Sequence, residues 1–138
     1  MPTITSHSQT RSVSIAADPG AVLEFVADPY QLPVWAPDFA ESVRREDDHW
    51  VVSTRRGETS ILVCANPEQG TVDLLSAADP GSGAFTRILP NGDGSEYLFT
   101  LFFPEGTPES AIDGQMAVVE GELRTVRAQC ERARAHAH

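Results

Sequence analysis

The 138-residue sequence predicts an α+β domain: a seven-stranded, curved antiparallel sheet wrapped around a long C-terminal helix, with one or two short helices after the first strand. Three observations predict it. The alternating run Ser12-Val13-Ser14-Ile15-Ala16 is followed at once by Asp18-Pro19, a helix-start signature. Between Phe39 and Phe103, short runs rich in β-branched and aromatic residues alternate with turn-forming clusters. Beyond Pro104 the apolar period becomes helical and stays so to about Ala133.

Taken in order, residues 1–10 are polar and read as a disordered N-terminal segment, residues 11–134 as a single domain, and residues 135–138 as a disordered tail. In the first helix Asp18 caps the free N–H groups and Pro19 takes the first helical position. Val22, Leu23, Phe25 and Val26 give the helix a buried side, and Pro29 stops it. Then comes DPYQLPVWAPDF, residues 28–39, where three prolines flank Trp35 and Phe39 and favour a short second helix or turn.

Six strands follow: ESVRRE, HWVVST, TSILVCA, TVDLLSA, AFTRIL and EYLFTLFF. Their separators, such as Asp47-Asp48 and Pro90-Asn91-Gly92-Asp93-Gly94, are short enough for an antiparallel meander. Thr107 and Pro108 then open a final helix about 39 Å long at 1.5 Å per residue. Ile112, Met116, Val119, Leu123, Val126 and Cys130 share one stripe of it, with Glu120, Arg124, Arg127 and Glu131 on a polar flank. Gly114 and Gly121 each cost this helix about 1 kcal/mol relative to alanine, which points to close packing or bending there. One helix cannot cover a flat seven-stranded sheet, so the sheet is expected to curl around it and enclose a cavity.

Composition removes several classes of function. A net charge of −10 argues against nucleic acid and anionic membranes, which need clustered cations. Every basic residue is arginine, so lysine Schiff-base chemistry and a P-loop lysine are excluded. Cys64 and Cys130 lack metal or redox spacing and read as reduced, buried thiols. His7, His49, His136 and His138 share no ligand spacing within an element, so no metal and no cofactor are expected. No stretch approaches a signal peptide or the roughly 20 apolar residues of a membrane span, and a cytoplasmic location is expected.

The chain resembles the START-like (SRPBCC) superfamily with its helix-grip fold, and within it the polyketide cyclase/dehydrase branch. The residues carrying the resemblance are Ser14–Pro19 and Leu32–Phe39 with Ser42–Arg45 after it, then Trp50-Val51-Val52. Arg87, Pro90–Glu96, Phe99–Phe102 and the last helix complete it, covering about residues 10–133. The resemblance implies a hydrophobic cavity between sheet and helix that takes lipids, polyketides or similar molecules, and fold does not fix which.

Register supplies candidate lining residues. With Pro90–Ser95 as a turn, Ile88 opposes Tyr97 and Thr86 opposes Phe99, and Leu101 shares their face; Arg87 and Glu96 form a diagonal pair on the other. The same reading puts Trp50, Val52, Thr54, Ile61 and Val63 on one face and continues it to Asp73 and Leu75. From the helix, Met116, Val119 and Leu123 face the same space. Asp73, if it enters the cavity, becomes a general acid or base for a cyclisation or dehydration. Trp35 and Phe39 form either the rim or ordinary core. The expected function is binding of a small apolar ligand, with cyclase/dehydrase activity open and no nucleophile or metal motif in view. The alternative is a homodimerising or protein-interaction module with a collapsed cavity, its surface marked by Val51, Leu62 or Leu98.

Overall fold

The computed structural model describes residues 5–136. Its elements run β1 (His7–Ile15), α1 (Pro19–Ala27), a 3-10 turn (Pro29–Gln31), α2 (Leu32–Trp35), β2 (Ser42–Glu46), β3 (His49–Thr54), β4 (Gly57–Asn66), β5 (Thr71–Ser76), β6 (Gly83–Asn91), β7 (Gly94–Phe103) and α3 (Glu109–His136). The seven strands form one antiparallel sheet in the order β1-β7-β6-β5-β4-β3-β2. β1 and β2 therefore lie at opposite edges, and α1, the 3-10 turn and α2 carry the chain from one to the other. With α3, these helices cover one face of the sheet.

Local chemistry explains the starts and stops. Asp18 accepts a hydrogen bond from the Gly20 amide at 3.0 Å, with Pro19 in the first turn of α1. Asp28 repeats the device one element later, accepting from the Tyr30 amide at 3.0 Å. Prolines at 29 and 33 fit the first turns they occupy, because those amides have no helical acceptor. A two-residue turn, Gly92-Asp93, joins β6 to β7, with Gly92 at φ 58°. Gly83 has φ 148°, and a Cβ there would stand 2.2 Å from the Leu74 carbonyl oxygen, so β6 can start against β5 only with glycine.

The hairpin expectation is met: Ile88 pairs with Tyr97 and Thr86 with Phe99. The concave face carries Ile15, Val52, Ile61, Val72, Ile88, Tyr97, Phe99 and Phe103, which pack with Val22 and Val26 of α1. Ile112, Met116, Val119, Leu123, Val126 and Cys130 of α3 close the core, so the predicted helical stripe is the buried one. Among the described residues no helix is long and apolar enough to cross a membrane.

Several expectations need correction. β1 begins at His7, so residues 7–10 are not a loose end: they pair with Thr100–Phe103. Residues 1–4 of the expected disordered segment lie outside the described residues. α3 continues to His136, past the expected boundary at 134, and residues 137–138 are also outside the described range. The helix starts at Glu109, and Thr107 does not cap it, since its hydroxyl donates to the Pro104 carbonyl at 2.6 Å. Cys64 is exposed and only Cys130 is buried. Glu96 accepts hydrogen bonds from Ser14 at 2.6 Å and Asn91 at 3.1 Å in place of the expected partner Arg87. Nor do the helix glycines mark close packing: a Cβ at Gly114 meets nothing within 4 Å, and one at Gly121 only the Arg124 guanidinium at 3.7 Å.

Candidate functional site

α2 is too short to cover the sheet beside it, and α3 crosses the concave face on the β1 and β7 side, also meeting α1 and α2. Between them remains a half-open cavity of about 440 Å³. Leu32, Trp35, Ala36 and Phe39 wall it from α2 and the loop after it. The sheet contributes Ile61, Leu74, Ala84, Phe99, Leu101 and Phe103, and α3 contributes Gln115 and Glu122. Thr59, Ser76, Ser82, Gly83 and Phe102 complete the lining. A second depression, about 400 Å³ beside the first turn of α1, is bordered by the exposed side chains of Glu24, Glu68 and Arg87 and holds no buried ionisable group.

Trp35 is 2 % exposed and meets Phe99 edge to face, ring centroids 6.5 Å apart and planes at 84°. Its indole Nε1 is buried without a hydrogen-bond partner. Phe39, 39 % exposed, stands at the rim. The kinked segment thus places one aromatic sealed into the wall and the other at the mouth.

Glu122 is the ionisable side chain of the lining. No hydrogen bond or ion pair reaches it among the described residues, and burial, with a smaller contribution from the charge of Asp38, pushes its carboxyl up to about 7. Asp38 is itself exposed and pairs loosely with Arg55 at 3.7 Å. On the sheet side, the Tyr97 phenol is fully buried with no partner for its hydroxyl, and burial drives its pKa far above the ordinary value. Cys130 is raised to about 11 by burial and then by Glu131, so it is no nucleophile at neutral pH. Among the described residues no group of three or more metal-ligating side chains converges.

Of the residues expected to line a cavity, Trp35, Phe39, Ile61, Phe99 and Leu101 do so. Val52, Thr86, Ile88, Tyr97, Met116, Val119 and Leu123 are buried in the closed part of the core instead. The Thr86 hydroxyl donates to the Val72 carbonyl at 2.6 Å, which satisfies it without a ligand. Val63 packs partly buried against the core, and Trp50 packs edge to face on Tyr30 at 5.1 Å with the Arg45 guanidinium 5.9 Å from its ring. Thr54 belongs to the β3–β4 turn, donating to the Gly57 carbonyl and accepting from the Arg56 amide.

Asp73 is a correction. The β4–β5 hairpin pairs Asn66 with Thr71, which sets Asp73 opposite Cys64 and Leu74 opposite Val63. Leu74 takes the concave face and Asp73 the convex one, one residue out of phase with the expected register. Leu75 moves outward with it, and the carboxyl in the cavity comes from the helix. Glu122 had a signal in the sequence: it lies three residues after Val119 and four before Val126, beside the apolar stripe.

No protein-family model matches the chain, and neither does any curated protein sequence. Solved structures do. A START superfamily protein from Mycobacterium smegmatis superposes with a TM-score of 0.70 at 15 % identity, over 92 % of this chain and 99 % of that one. The protein XoxI from Bacillus cereus gives 0.71 at 15 % identity, over 89 % and 94 %. The Aha1 dimer from Colwellia psychrerythraea gives 0.69 at 15 % identity, over 91 % and 96 %. A curved seven-stranded sheet gripping a long C-terminal helix, shared over nearly the full length with these structures, is the START-like fold.

Proposed function

We propose that the protein binds a small, largely apolar molecule in the half-open cavity between α2, α3 and the concave face of the sheet. The observation that carries this reading is the cavity itself: about 440 Å³, walled mainly by aliphatic and aromatic side chains with a few polar groups. Ligand pockets run to roughly 300–1,000 Å³ with that kind of lining.

Cyclisation or dehydration of a bound molecule is the second reading, and Glu122 favours it. A carboxyl near 7 is present in both protonation states at neutral pH, as proton transfer requires. The homodimer alternative has less support, because Val51 is buried and Leu62 and Leu98 are half-buried.

Native mass spectrometry of the purified protein, together with its melting temperature during titration with alkyl and aromatic probes, tests the binding reading. A retained small molecule or a saturable rise in melting temperature is expected. Absence of both would overturn it.

A further inference from the structure

We propose that the ligand carries a protonated amine, held by the Glu122 carboxylate inside an apolar cavity that contributes no cation of its own. The inference rests on reading the cavity as a binding site and adds the ligand's charge. Among the described residues the lining holds a single ionisable side chain, Glu122, and neither arginine nor histidine. A half-buried carboxylate without a partner is costly, and what relieves it best is an opposite charge brought in with the ligand.

A carboxylate or phosphate ligand would instead meet Glu122, the nearby Asp38 and a chain of net charge −10, with no positive group in the lining to offset them. A neutral hydroxyl would hydrogen-bond to Glu122 and leave the charge uncompensated. The same net charge draws cations toward the mouth, where Phe39 presents an exposed aromatic ring.

The groups around Glu122 set its pH response. Asp38 raises its pKa from the loop after α2, and Arg55 partly screens Asp38 at 3.7 Å. From the sheet, the buried Tyr97 phenol stays neutral at ordinary pH. An arriving ammonium favours the ionised carboxyl, so binding expels the proton that Glu122 holds in its neutral form.

The experiment is calorimetric titration of the full chain with decylamine, decanol and decanoate, at about pH 6 and about pH 8, in buffers of different ionisation enthalpy. Decylamine is expected to bind tightest, about tenfold tighter at the higher pH, with proton release visible as a buffer-dependent heat. Glu122→Gln, which keeps the side-chain shape, should weaken decylamine at least about tenfold and abolish the dependence of its affinity on pH, with a much smaller effect on decanol. Decanol or decanoate matching decylamine, or loss of the pH response in the wild-type protein, would overturn the amine while leaving the cavity as a binding site. Decylamine affinity intact in Glu122→Gln does the same. Failure of all three probes to bind overturns both readings.

Discussion

Tyr97 and Glu122 lie on facing elements of the same core, the first on the sheet and the second on α3, and burial raises the pKa of both. Their consequences differ. Tyr97 is sealed, and its phenol is neutral in the folded and unfolded chain alike across ordinary pH. Glu122 borders open space, and its carboxyl is shifted from 4.5 to about 7, into the range where cells operate. A raised pKa in a closed core is a packing fact; at the edge of a cavity it is a chemical handle.

The largest separation between the two regions is expected from truncation. Tyr97→Ala removes a fully buried ring and should cost about 3–5 kcal/mol, enough to threaten folding of a domain this size. Leu101→Ala beside the cavity should cost about 2 kcal/mol or less, because its side chain is only partly buried and borders space that is already open. Urea unfolding of the two variants measures the difference, and equal losses would mean that the cavity side is as tightly filled as the closed side.

The next effect concerns pH. Because the folded pKa of Glu122 lies above its unfolded value, the folded chain binds more protons between about pH 4.5 and pH 7. Stability from this group is fully present below the lower value and is lost as pH rises through the upper one. Glu122→Gln should therefore raise stability at about pH 8 by roughly 1–2 kcal/mol, allowing for solvent around the half-buried carboxyl, and flatten the melting temperature across that window. An unchanged pH profile would show that Glu122 titrates normally and that the two regions differ less than described.

The smallest effect isolates helix propensity from the core. Gly114 faces open space, so Gly114→Ala should stabilise α3 by about 1 kcal/mol and raise the melting temperature by about 3 °C. A decrease would mean that Gly114 serves a bend or contact absent from the described structure.

Much of this architecture is legible in the sequence because its signals are local and repeated. HWVVST matches β3 residue for residue; TSILVCA, AFTRIL and EYLFTLFF fall inside β4, β6 and β7, while ESVRRE and TVDLLSA overrun β2 and β5 by one residue each. The Ile88–Tyr97 register followed from one short turn. The site was less legible because it depends on where two elements fail to meet. Met116, Val119 and Leu123 show helical spacing whether they face a ligand or a neighbouring side chain, and here they face side chains. Asp73 differs from its expected face because the loop at residues 67–70 sets the β4–β5 pairing one position away from the simplest register, and a period of two turns one position into the opposite face. Glu122 was hidden because a carboxyl flanking an apolar stripe looks like any wet residue until the partner beside it is seen to be too short.

α3 does more than fill the grip. Near its C-terminal end Glu131 accepts a hydrogen bond from the Ala16 amide at 2.8 Å, and Arg134 donates to the Ala16 carbonyl at 2.9 Å, while Arg11 of β1 pairs with Glu120 at 2.9 Å. Among the described residues β1 pairs with β7 alone, across more than half of the chain. During synthesis β1 therefore has no strand to pair with until β7 has been made. Closing the sheet through so distant a pair makes assembly slow for a domain of this size and leaves the β1 edge exposed to other chains until β7 arrives.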